Sequence, residues 1–281
     1  MRRVLVFALA LAASVAGVTG VARARADEIA PELETLELRQ KAQSEARKLI
    51  AALPPSDQRR LTGVYVAFDP SASDPSAMAA CDDDGDFVIV LTDAMLRLSS
   101  AVARAQSYDE ANASRTIEEY ASFIGRSQLP GRRLLPPPPG SYIAQKAGTT
   151  HEARLREAIA FVVARELTHF RAGDLVCPHP TATRENGDDE WTASEQRRAL
   201  ERAATLYPGR AHERDIEATS RIMDLGHTER GALGLLRFFM QLELERTTHA
   251  ARFIATYAAH HPSAATRNAS VMGAAKDHRS E

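Results

Sequence analysis

Ala158-Ile-Ala-Phe-Val-Val-Ala-Arg165-Glu166-Leu167-Thr168-His169-Phe-Arg171 is the run on which the architecture turns. Seven apolar residues lead straight into Arg165 and Glu166, with His169 one turn beyond. Upstream, Thr149-x-x-Glu152 has the form of a capping box, and Gly173 is a natural stop, so one long helix carries the whole stretch. At 100° per residue, Arg165 and His169 fall on one face with Ala158, Phe161 and Val162, and Glu166 projects to the side. Ionisable groups on an apolar stripe are costly unless something pairs with them. This helix therefore faces a core that contains polar partners.

Around it the chain reads as α+β, mostly helical, with a small sheet. Residues 29–53 suit a surface helix rich in Glu, Lys and Leu, stopped by Pro54-Pro55. Val64–Phe68 and Phe87–Thr92 are short, β-branched strand signals on either side of an acidic Asp82–Asp86 turn. That turn lacks the spacing and closing Glu of a calcium loop. A helix follows from Asp93 into the helix-prone stretch 105–125, and Leu129–Gly140, with prolines from Pro136 to Pro139, is a stiff connector. Residues 174–191 read as a loop, and Thr192–Leu206 as a charged helix. Two more helices fill 211–225 and 228–246, and the tail after Met272 is polar and loose.

The first 26 residues have the form of a signal peptide: Arg2 and Arg3, an apolar Val4–Ala22 run, and Ala24-Arg25-Ala26 as a small-x-small cleavage site. The 19-residue run also leaves an uncleaved membrane anchor open. Removing the segment takes four Arg with it and leaves residues 27–281, one sizeable domain with 31 Lys+Arg against 37 Asp+Glu. A net charge of −6 argues against a nucleic-acid partner. The expected location is the periplasm or the extracellular space. Cys81 and Cys177 are the two cysteines, and two readings stand. They form a disulfide in an oxidising compartment, or Cys177-Pro178-His179 joins a metal cluster, although that spacing is not a known zinc pattern.

Glu166 and His169 fill two of the three specified positions of HExxH, the helical motif that sets two imidazoles one turn apart beside a Glu that activates metal-bound water. The first His is Arg165. An ExxH at a helix end is short enough to arise from polar residues that merely surface. A second helix raises its interest. On residues 211–226 one face holds Ala211, His212, Asp215, Ala218, Thr219, Ile222 and Met223, so Asp215 is the carboxylate that points inward.

With these blocks in hand, the chain resembles the zinc endopeptidases of the HtpX, CAAX-prenyl-protease and BepA-like type, peptidase family M-48. Ala77-Met78-Ala79 with Gly85–Leu96 resembles that family's edge-strand block, and Ala160–His169 resembles its HExxH helix. Asp215-Ile-Glu-Ala-Thr219 resembles its ExxAD, and His261-Pro262 with Arg267 its late HPxxxxR block. The resemblance spans roughly residues 60–268 and leaves 105–148 as an insertion. It implies a zincin-like metallopeptidase domain with a small sheet beside the active-site helix. Glu166 would be the general base and His169 the second zinc ligand. Asp215 stands in the place of the ligand Glu, Thr219 in that of a supporting Asp, and Arg165 in that of the first ligand. Arg donates no lone pair and does not deprotonate in proteins, so a guanidinium bridging Glu166 and Asp215 is the expected occupant of the metal position.

The expected function is that of an exported pseudo-peptidase that binds protein chains, with polypeptide clients and envelope protein complexes as partners. By the resemblance, the chain would lie along Phe87, Val88, Ile89, Val90 and Leu91 by strand addition. An alternative is an active zinc endopeptidase in envelope quality control, with His212 and His261 joining His169 and Asp215 as rearranged ligands. Zinc is then the cofactor; otherwise there is none. A structural scaffold is the third reading.

Overall fold

A computed structural model describes residues 34–61, 63–70, 73–81, 86–137, 149–175, 177 and 208–280. The expected signal peptide, the acidic turn at 82–85 and the expected helix at 192–206 lie outside the described residues. The chain divides into Met1–Leu38 and Arg39–Glu281; of the first, residues 34–38 are described, as helix, and the remaining elements belong to the second.

Helix α5 (Thr149–Ala172) is the axis of the fold. Leu155, Ala158 to Ala164, Leu167 and Phe170 are all buried, which is the signature of a helix covered on every side. It packs against β2 (Ala77–Cys81), α3 (Asp93–Asn112), α6 (Pro208–Asp224) and α7 (Arg230–Glu245). Between α5 and α7 the approach is close. A Cβ on Gly231 would stand 2.4 Å from the Arg154 carbonyl, and its N–H donates to buried Glu157 at 3.0 Å. Glu157 also accepts from the Thr228 N–H and hydroxyl, so it caps the start of α7 from a neighbouring helix.

One expectation, the loose tail, changes here. Helix α1 (34–51) lies at the surface, and one stripe of it is buried. Ala42, Ala46 and Leu49 are buried with Leu53 beyond the helix end, a stripe hidden within a charged composition, and Glu45 is fully buried beside Lys48 and His227. The short α2 (Pro55–Arg60) follows, opened by a proline in its first turn. Of the stretch 105–148, residues 105–137 are described, and its helices pack into the core. Helix α3 ends at Ala113 in a left-handed conformation (φ 51°), and Asp109 accepts from the Thr116 N–H at 2.7 Å to start α4 (Thr116–Ser127). On α4, Ile117, Tyr120, Ala121 and Ile124 are at most 1% exposed, with Tyr120 against Phe238 of α7. The tail is helical too. After α8 (Thr248–Phe253) and α9 (Ala255–His260), α10 runs Ala264–His278 with Val271, Ala274 and Ala275 buried.

The sheet has the order β1-β3-β2, with β1 at Tyr65–Asp69 and β3 at Phe87–Thr92. β1 pairs with β3 parallel and β2 pairs with it antiparallel. Phe87, Val88, Ile89, Val90 and Leu91, expected to be the substrate strand, thus lie in the middle of the sheet with backbone groups committed on both sides. Their unbroken apolar character is that of a strand covered by neighbours, not of an edge. The strand facing α5 is β2. A disulfide joins Cys81 at its end to Cys177 (Cα–Cα 5.4 Å), which answers the cysteine question in favour of the disulfide.

Candidate functional site

At the end of α5, Arg165 and Glu166 are each 4% exposed and bonded to each other, Nη1 donating to Oε1 at 2.9 Å. The other Glu166 oxygen accepts the backbone N–H of Ala79, on β2, at 3.0 Å. Arg165 Nε stands 3.3 Å from Asp215 Oδ1, close enough for an ion pair but off line for a hydrogen bond. The guanidinium therefore lies between the two acids, the position expected of it from the sequence.

Asp215 has a stronger partner. Arg267, on α10, donates from Nε to Oδ2 and from Nη2 to Oδ1, both at 2.8 Å, a bidentate fork onto a carboxylate with no solvent exposure. The third corner of Arg267, Nη1, reaches the Tyr257 hydroxyl at 3.2 Å, and its flat face lies over the rings of Tyr257 (5.5 Å) and Phe161 (6.0 Å). Tyr257 is sandwiched by Phe239 at 4.1 Å and His261 at 4.7 Å. Burial opposes the charge of Arg267, yet Tyr257 and Asp215 outweigh it and hold its pKa above the usual value. Arg165 is the reverse case. Burial first, then the neighbouring Arg267, depress it against the pull of Glu166 and Asp215, although an arginine remains cationic at neutral pH.

The helix stop builds a second cluster. Gly173 takes φ 71°, and the Asp174 N–H bonds the His169 carbonyl while the Gly173 N–H bonds that of Phe170. This Schellman turn folds Asp174 back beside the imidazole, with Oδ2 3.3 Å from His169 Nδ1 and off line for a hydrogen bond. Arg214 of α6, 4% exposed, donates to the same carboxylate at 2.8 Å, and Arg210 reaches its other oxygen at 3.2 Å. Burial raises the Asp174 pKa, but contact with His169 and Arg214 more than reverses this and sets it at about 2. His169 Nε2 is 3.9 Å from Glu166 Oε2.

Arg165, Glu166, His169, Arg214, His261 and Arg267 line one cavity of about 320 Å³, closed by the apolar walls of α5 and α7 and by Ala77 and Met78 of β2. His212, expected to be an inward ligand, is exposed instead and meets the Ser270 hydroxyl. It lies about 300° around α6 from Asp215, toward Ser270, so the broad face drawn from the sequence included one residue too many. Thr219 is buried, but its hydroxyl bonds the Asp215 carbonyl within its own helix at 2.7 Å and reaches no site group. Sequence reasoning missed Asp174, Arg214 and Tyr257. Asp174 was legible in principle, because the residue after a Schellman glycine returns to the last turn.

Among the described residues, no three His, Cys, Asp or Glu side chains converge as a metal ion requires. Both Asp215 oxygens already accept from Arg267, both Glu166 oxygens are engaged, and two guanidiniums adjoin Asp215. These donors do not fit the zinc that the resemblance implies.

No protein-family model, curated protein or solved structure matches the chain. No helix among the described residues is long and apolar enough to cross a membrane.

Proposed function

We propose that this is an exported polypeptide-binding protein of zincin-like design, a pseudo-peptidase of the HtpX and CAAX-prenyl-protease type. In it the Arg165 and Arg267 guanidiniums hold together the acids that a metal would otherwise join. A client chain lies extended along the outer edge of β2. The observation that carries this reading is the Glu166–Ala79 bond. In that bond the N–H of a β2 residue turns away from β3 and toward the cavity, where a protein carboxylate accepts it. Ala77 has the same orientation as Ala79, because the intervening pairs carry the ladder and Ser76 accepts from the Thr92 N–H on the inner side. An added strand takes up such groups by β-augmentation. The disulfide agrees with an oxidising compartment and hence with export. Glu166 is held at both oxygens, which disfavours its use as a general base and so favours binding over hydrolysis.

Labelled casein in EDTA, followed by fluorescence anisotropy and gel electrophoresis, tests the proposal. Wild type should bind without cleavage. Ala77→Pro, which removes one outward N–H and none of the ladder, should weaken binding at least tenfold with an unchanged circular dichroism spectrum. Equal binding by Ala77→Pro, or cleavage abolished by Glu166→Gln in metal-replete buffer, would overturn it.

A further inference from the structure

We propose that the turn after α4 seats the protein on an anionic phospholipid bilayer, with Leu129 entering the headgroup region and Arg126, Arg132 and Arg133 meeting lipid phosphates around it. This surface lies outside the cavity and does not depend on the polypeptide-binding reading. Its charge is unlike that of the rest of the chain. The sequence holds 37 Asp and Glu, yet none falls between Glu119 and Glu152. Arg126, Arg132 and Arg133 stand within that gap, and all three are exposed. A chain of negative formal charge thus presents a local cationic corner, which complements an anionic surface.

The turn is built to hold its side chains in solvent. Leu129-Pro130-Gly131-Arg132 closes with the Arg132 N–H on the Leu129 carbonyl at 3.3 Å, and Gly131 takes the positive φ, 68°, that a type II turn requires there. Gln128, 2% exposed, braces the loop from within. Its amide nitrogen donates to the carbonyls of Arg132 at 2.9 Å and Leu129 at 3.2 Å, and its oxygen accepts the Leu135 N–H at 2.9 Å. The Tyr120 hydroxyl donates to the Leu135 carbonyl at 2.9 Å. Leu134 is buried, whereas Leu129 stays 53% exposed at the head of the turn. A leucine fixed in water by a braced backbone forgoes the gain of burial, and insertion among lipids restores it.

The corner between α7 and α8 extends the surface. The Thr247 hydroxyl donates to the Gly125 carbonyl, and His249 Nδ1 lies 3.2 Å from that of Gln128, so this corner packs on the end of α4. Arg246, next to Thr247, is exposed and adds a fourth cation. Glu245 is the acid on this corner, and it is turned onto Ser122 and Gln241. An apolar side chain ringed by arginines suits the bilayer interface, where acyl chains and phosphates lie within a few ångströms of each other. A soluble polyanion would use the arginines and leave the leucine without a role.

Full-length protein carrying Leu129→Cys with an environment-sensitive fluorophore tests this, the Cys81–Cys177 disulfide left intact. Met272→Cys, 54% exposed on α10, carries the same label as control. Vesicles are phosphatidylcholine alone, or equal parts phosphatidylcholine and phosphatidylglycerol. The label at 129 should shift to the blue on the anionic vesicles only, and the label at 272 on neither. Adding Arg132→Gln and Arg133→Gln, with circular dichroism unchanged, should raise the lipid concentration needed for the shift about tenfold or more, since each cation beside an anionic surface contributes about fivefold. Raised salt should act in the same direction. No shift at 129, even where protein sediments with the vesicles, would overturn the proposal, because the apolar Val4–Ala22 run is a separate route to sedimentation. An equal shift in the arginine variant, or on uncharged vesicles, would also overturn it. Binding to DNA or polyglutamate with no shift on vesicles would assign the arginines to a polyanion instead.

Discussion

The Arg267–Asp215 pair should behave as a buried lock, costly to break from one side and cheap to remove entirely. Asp215 has no exposure, and its two strong bonds come from one guanidinium at 2.8 Å. Arg267→Met keeps an apolar stem against Phe161 and Tyr257 but leaves Asp215 with only the off-line Nε of Arg165. Removing one partner of a buried pair costs about 3–5 kcal/mol. For a unit of this size each kcal/mol lowers Tm by about 2–4 °C, so a fall of about 6–20 °C is expected. Asp215→Leu combined with Arg267→Met removes both charges and should lie within about 2 kcal/mol of wild type, because well-packed apolar replacements of buried pairs are often neutral. The cycle then gives a coupling energy of several kcal/mol, measured by urea denaturation. Arg165→Met, which loses one bond in line, to Glu166, should cost less than Arg267→Met, about 1.5–3 kcal/mol. If Arg267→Met costs under about 1 kcal/mol, or the double variant costs the sum of its singles, the lock is not there.

Other outcomes rest on single contacts. The folded pKa of Asp174, at about 2, lies below its ordinary value, so its contribution to stability is complete above roughly pH 4 and is lost as pH falls toward 2. Urea midpoints between about pH 5 and 2.5 should fall less steeply in Asp174→Asn than in wild type, by at most about 2 kcal/mol. Gly231→Ala places a methyl 2.4 Å from a backbone carbonyl, and α7 must shift; a loss of about 1–3 kcal/mol or more is expected by thermal melting. Reducing Cys81–Cys177 releases a constraint between residues 96 apart and should cost about 2–5 kcal/mol, read as the shift in urea midpoint on adding dithiothreitol. His212→Ala, at an exposed position, should change stability by about 0.5 kcal/mol or less in the same assay.

Local rules made the frame legible. Helix α5 starts at Thr149 and stops at Gly173 as local rules lead one to expect, and β3 shows its β-branched character in six residues. Strand order is different in kind. Nothing within Phe87–Leu91 tells whether one or two strands flank it, and β2, with three Ala in five residues, gives too little strand signal for its pairing to be read. The burial of α1 and α4 escaped for a related reason, since Ala42, Ala46 and Ala121 form core stripes in which small residues give little hydrophobic signal. Inward direction was legible at Asp215, where the helix has clear apolar neighbours, and failed three residues earlier at His212, at the margin of the buried face.

The centre of the site depends on a contact across 52 residues, Arg267 to Asp215, and no local pattern specifies it. Glu166 and Asp215 are two buried acids on separate helices, and two such acids cannot stay charged without cations of their own. One guanidinium from α5 meets that need for Glu166 and only in part for Asp215, as the 3.3 Å off-line contact shows. The second cation had to come from elsewhere, and Arg267 approaches from α10 with Tyr257 behind it. Electroneutrality therefore points to a partner for Asp215 even where sequence cannot name it. The same reasoning separates the two arginines by role. Arg267 has each of its three nitrogens bonded and acts as structure, whereas Arg165 keeps donors turned to the cavity and is the one placed to meet a ligand.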